Sequence, residues 1–118
     1  MTMPSKVWLC CHVKIESELC LQDLGRLLSK NIFGGIGFRE SRAHDEIPLI
    51  VLEQHVFGLK FEVDGKNGKF SLAACPVTWE GEVGKYMAEK NQIEDISPYL
   101  VEVLTKIQGI SSASPLGI

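Results

Sequence analysis

Apolar and polar residues alternate through Leu59-Lys60-Phe61-Glu62-Val63-Asp64, and the alternation resumes at Phe70, Leu72 and Ala74. Side chains on a strand point to opposite faces with period two, so each run carries one dry face and one wet face. Gly65-Lys66-Asn67-Gly68 joins them with residues that tolerate positive φ. The pattern predicts an antiparallel hairpin lying on a core. Val7 to Ile15 predicts an earlier, interior strand, with Val7, Leu9, Cys11, Val13 and Ile15 on one face.

Helical spacing takes over at Cys20, Leu21, Leu24, Leu27 and Leu28. Ser17 is the expected N-cap, Asn31 and Gly34-Gly35 the stop, and the helix runs from about Glu18 to Lys30. Ile36 to Arg42 reads as a short strand with Ile36 and Phe38 inward. Ile47 to Glu53 is apolar enough for a buried strand, although Asp45, Pro48 and Gly58 offer a helix start and stop. The strand is the preferred reading. Thr78 to Gln92 is irregular, with room for a short helix over Val83 to Lys90. In the last helix Ser97 is the expected N-cap and Pro98 sits in the first turn, Leu100, Val103, Leu104 and Ile107 form the stripe, and Gly109 lies just past the end. Residues 110–118 are expected to be a mobile tail.

Strands in series with helices at two places, and no βαβα rhythm, indicate an α+β fold. The expected architecture is two-layer, a mainly antiparallel sheet with two helices on one face. The 118 residues fit one domain, and a 45% apolar fraction supports one core without a metal or disulfide staple. No apolar run is long enough to span a bilayer, so no membrane is expected. The first residues show no secretory pattern, and the spacing of Cys10, Cys11, Cys20 and Cys75 predicts free thiols in a cytoplasmic protein. A net charge of −3 argues against nucleic acid as partner.

Candidate chemistry is sparse. Cys10-Cys11-His12 with Cys20 lacks the paired spacing of a zinc site, so no metal or other cofactor is expected. Cys75-Pro76 with His12, His44 or His55 is a conceivable thiol–imidazole pair, but no local signature surrounds it. Gly34-Gly35-Ile36-Gly37 follows a helix, the wrong order for a phosphate loop. The carboxylates of Asp45-Glu46, Glu80-Gly81-Glu82 and Glu94-Asp95 fall in loops or at element ends. Asp45, Glu46, Glu80 and Glu82 are candidate partner-binding residues, with Trp79 as the candidate anchor.

The block Arg42-Ala43-His44-Asp45-Glu46-Ile47-Pro48, continuing through Leu52-Glu53 to Val56-Phe57-Gly58-Leu59-Lys60-Phe61-Glu62-Val63, resembles small bacterial immunity proteins that accompany toxins. The resemblance implies a cytoplasmic, non-enzymatic protein that binds one toxin domain. With the mild acidity, the expectation is an immunity-type inhibitor of a basic toxin domain. The alternatives are a small-ligand-binding or enzymatic domain whose pocket joins distant residues, and a homo-oligomer built through a sheet face or edge.

Overall fold

The computed structural model describes residues 8–41, 47–77 and 93–116. In chain order these form β1 (Trp8–Glu16), α1 (Leu21–Ile32), β2 (Phe38–Ser41), β3 (Leu49–Leu52), β4 (Leu59–Lys66), β5 (Lys69–Pro76), β6 (Ile93–Asp95), α2 (Ser97–Leu104) and β7 (Ser112–Pro115). The fold is α+β. Among the described residues one sheet runs β2-β3-β4-β5-β1-β6, and β7 also pairs with β1. Every pairing is antiparallel except β1 with β6.

The alternating runs do what their periodicity requires. Leu59, Phe61 and Val63 on β4 and Phe70, Leu72 and Ala74 on β5 are all buried in one cluster with Val13 and Ile15 of β1. Leu24 and Leu28 of α1 and Leu104 of α2 complete that cluster. Phe33 packs edge-on against Phe61, with ring centroids 4.9 Å apart. The segment at Ile47 resolves as strand: Leu49, Ile50, Val51 and Leu52 are all buried. Burial on both faces explains why their sequence shows no alternation.

The turn between β4 and β5 is tighter than its sequence suggests. Lys66 pairs with Lys69, leaving Asn67-Gly68 as a two-residue loop with φ of 56° and 82°. Positive φ at both positions is the type I′ geometry, whose twist matches the strands. Gly65 is instead inside β4, where a Cβ would collide with the Lys69 carbonyl oxygen.

Four local expectations are corrected. α1 begins at Leu21, and its N-cap is Cys20, whose Sγ accepts the Asp23 N–H at 3.5 Å. Ser17 is buried and donates to the Gly109 carbonyl at 2.6 Å, while accepting the Leu19 N–H at 3.1 Å. It ties two turns together rather than capping the helix. In α2, Val103 is 45% exposed, whereas Leu100 and Val101, and Ile107 just past the helix end, pack against the core beside Leu104. The serine-rich stretch expected as a mobile tail forms β7, with Ser112 opposite Glu16 and Pro115 opposite Val13. The possible helix over 83–90 lies outside the described residues.

The remaining edge of β1 is shared. β6 covers Trp8 to Cys10 and β7 covers Val13 to Glu16. His12 falls in the gap, and the fully buried Ser97 fills it. The Ser97 hydroxyl accepts the His12 N–H at 2.9 Å and donates to the His12 carbonyl at 3.3 Å. A buried backbone group needs a partner, and here a side chain supplies it where no strand reaches.

Candidate functional site

β2 is the end of the sheet path, and among the described residues its only strand neighbour is β3. The Glu53 N–H donates to the Gly37 carbonyl at 2.9 Å, so Gly37 and Glu53 form a hydrogen-bonded pair. Antiparallel ladders alternate bonded and non-bonded pairs. With Phe38 opposite Leu52 and Glu40 opposite Ile50, Arg39 and Ser41 turn their backbone groups toward β3. Phe38 and Glu40 turn theirs away from it.

Beside this edge a groove of about 590 Å³ runs between α1 and β2. Gly25, Phe38 and Ile50 line it together with Arg26, Lys30 and Glu40. A glycine inside a helix costs about 1 kcal/mol relative to alanine. Gly25 has a packing reason, since a Cβ there would meet Ile50 Cδ1 at 2.6 Å. The missing side chain lets α1 sit close to β3 at this point.

Charges on the rim are partly matched. Arg26 pairs with Asp23 at 2.7 Å, and Gln22 Nε2 donates to Glu40 Oε1 at 3.3 Å. Lys30 and Arg39 make no ion pair among the described residues. They lie on different faces of the edge, because Lys30 lines the groove and Arg39 pairs with Val51 on the opposite side of the sheet from Phe38 and Glu40.

Phe57 is a second unusual surface residue. Val56 and Leu59 exchange both backbone hydrogen bonds, at 3.1 and 2.9 Å, around Phe57-Gly58. This is another two-residue turn with positive φ at both positions, 54° at Phe57 and 71° at Gly58. The Phe57 side chain is 88% exposed. A bulky residue held in the left-handed region without burial is a conformational outlier of the kind that collects at functional sites.

Among the described residues, Cys10 and Cys11 are poorly suited to nucleophilic chemistry. Cys10 and Cys11 are buried, and desolvation is the main cause that pushes their pKa values up to about 11 and about 12. Such thiols carry little thiolate near neutrality and are poor nucleophiles. Cys75 is half-buried on β5 opposite Lys60, and His55 is exposed near the Phe57 turn. Asp95 is engaged locally, accepting the Ser97 N–H at 2.9 Å.

The partner-binding residues expected from the sequence, Asp45, Glu46, Trp79, Glu80 and Glu82, lie outside the described residues, as does His44. The groove and the Phe57 turn were not anticipated. One sequence signal did point to the groove, the lone Gly25 within an otherwise strong helical pattern. No sequence signal brings Arg26 and Lys30 to Phe38 and Glu40, because that proximity is tertiary. Neither a family model, nor a curated protein, nor a solved structure matches this chain.

Proposed function

We propose that the protein acts by binding another protein, as an immunity-type inhibitor of a basic toxin domain in a bacterial cytoplasm. The observation that supports the binding part is the β2 edge, which among the described residues pairs only with β3, beside a groove whose lining includes Gly25, Phe38 and Ile50. The exposed, conformationally costly Phe57 supports it. The toxin class draws on the resemblance over residues 42–63 and on the net charge of −3. An acidic inhibitor associates faster with a cationic target through electrostatic steering.

The test is isolation of a stoichiometric partner from the source cells, followed by co-expression with that partner to ask whether its toxicity is neutralised. Glu80→Lys with Glu82→Lys should slow association at low salt, with the deficit shrinking as salt rises. Trp79→Ala should cost about 2 kcal/mol or more of affinity if Trp79 is the anchor. A partner that is not toxic refutes this reading, and a neutralised toxin that binds both variants like the parent chain moves the interface away from Trp79, Glu80 and Glu82. One observation favours small-ligand binding instead: the groove volume of about 590 Å³ lies in the range of ligand pockets. The β2 edge, paired only with β3 among the described residues, favours a polypeptide.

A further inference from the structure

We propose that Cys10 and Cys75 are a redox pair, which hydrogen peroxide closes to a disulfide between β1 and β5. The inference does not rest on the inhibitor reading, since it arises from the register of two central strands.

β1 and β5 pair antiparallel from Glu16 opposite Lys69 to Cys11 opposite Ala74. One step further along both strands, Cys10 stands opposite Cys75. Both strands continue past this point, β1 to Trp8 against β6 and β5 to Pro76 against β4. The ladder between them stops at Cys11 and Ala74 because the next bonded pair, Leu9 with Pro76, needs an N–H that proline lacks.

The backbone bonds fix the kind of pair. The Cys10 carbonyl accepts the Ile96 N–H at 2.9 Å, so it is turned toward the β6 side. At the far end the Ser17 N–H donates to the Gly68 carbonyl at 3.1 Å, so the odd-numbered residues of β1 bond to β5. Cys10 and Cys75 are therefore a non-hydrogen-bonded pair. Such pairs put both side chains on one face, with Cα atoms about 4.5 Å apart. A disulfide spans roughly 4.4–6.8 Å between Cα atoms. Cys11 points to the other face, into the core cluster, and Cys20 caps α1 beside the Asn67-Gly68 turn at the opposite end of β1. Burial, and after it the nearness of the Cys75 sulfur, push the Cys10 thiol up to about 11.

Access sets the order of steps. Cys75 is half-buried, whereas Cys10 is 3% exposed. The Cys75 thiolate attacks a peroxide oxygen, the O–O bond breaks, and Cys75 becomes a sulfenic acid as water leaves. Cys10 Sγ then attacks Cys75 Sγ, the S–O bond breaks, and the departing hydroxide leaves as a second water with the Cys10 proton. Two thiols are oxidised to one disulfide, and one peroxide is reduced to two waters. Cys10 is a poor nucleophile toward reagents in solution, but here its target is held beside it, so the attack is intramolecular. The new bond encloses α1 and β2 to β4 in a covalent loop. It restricts the unfolded chain, so the oxidised protein is the more stable form.

The test uses the full chain with Cys20→Ser, since the exposed thiol would consume peroxide and serine also caps a helix. Under native conditions with hydrogen peroxide, the majority of chains should lose two hydrogens in mass. Digestion should give peptides linked through Cys75, and fragmentation should place the other end on Cys10. The urea midpoint should rise by about 1 M or more and return after reduction with dithiothreitol. Cys11→Ala should keep the bridge. Cys10→Ala should lose it and leave Cys75 as a sulfenic acid that dimedone labels. If Cys10→Ala fails to fold, the linked peptides of the Cys20→Ser chain decide the matter. A treated chain in which Cys10 remains a thiol, whatever the state of Cys75, overturns the proposal. So does a bridge through Cys11 or between two chains, and so does a midpoint that fails to rise on closure.

Discussion

Replacing Ser97 by alanine removes one buried oxygen, and the structure says which backbone group is then orphaned. The His12 N–H donates to Ser97 Oγ at 2.9 Å, in the gap between β6 and β7. The His12 carbonyl keeps a second partner, the Leu116 N–H at 2.8 Å, so only the donor is lost. Ser97 is fully buried, and the space left by one hydroxyl is smaller than a water needs. The expected cost is that of an unsatisfied buried donor, about 1–3 kcal/mol. Urea unfolding followed by circular dichroism should show the midpoint falling while the slope is unchanged. Hydrogen exchange of the His12 amide should accelerate in parallel. Ser71→Ala is the control, because it removes a hydrogen bond to the half-buried Asp64 carboxylate, a loss of up to about 1.5–3 kcal/mol, without orphaning the His12 N–H. A loss below about 0.5 kcal/mol for Ser97→Ala, with His12 exchange unaltered, would refute the claim that this hydroxyl closes the sheet.

Three further outcomes are expected. Leu104→Ala should destabilise by about 2–5 kcal/mol in the same assay, whereas Val103→Ala, one residue away and 45% exposed, should stay within about 0.5 kcal/mol. Phe57→Asn should raise stability by about 1 kcal/mol, because asparagine adopts the left-handed region more readily and the exposed ring loses no packing; a fall in the midpoint would mean that Phe57 is held by contacts. The folded chain keeps the Cys10 and Cys11 protons up to about pH 11 and about pH 12, whereas the ordinary thiol value is 9.0. The unfolded chain therefore releases them first, so stability is level below about pH 9 and declines as pH rises toward the folded values. Alkylation of the native protein should accordingly be fast at the exposed Cys20 and slow at Cys10 and Cys11, and equal rates at all three would contradict their burial.

The parts of this fold that a reader of the sequence recovers are those whose faces differ. The β4–β5 hairpin alternates because one side of each strand is dry, and every inward residue of the pattern is buried. α1 shows its Leu21, Leu24 and Leu28 stripe for the same reason, although its start slips from Glu18 to Leu21 because Ser17 is engaged by Gly109. β1 reads as interior, and it is, with β5 on one side and β6 and β7 on the other, although its dry face holds only from Cys11 to Ile15: Leu9 is exposed and Cys10 is buried.

What the sequence does not show is whatever depends on a distant backbone. β6 is three residues long, and β7 is Ser-Ala-Ser-Pro, without an apolar face to announce either. They exist as strands because the second edge of β1 carries N–H and C=O groups that need partners, and these segments pass within reach. Ser97 looks like a helix cap in the sequence and becomes a plug in the sheet for the same reason. The candidate site follows this rule. Gly25 was visible as an interruption in a helix, but only packing sets α1 against Ile50 and brings Lys30 to the edge formed by Phe38 and Glu40. Periodicity records which side of an element is dry. Which elements become neighbours is decided by hydrogen-bond demand and close packing between segments far apart in the chain, and no local pattern encodes it.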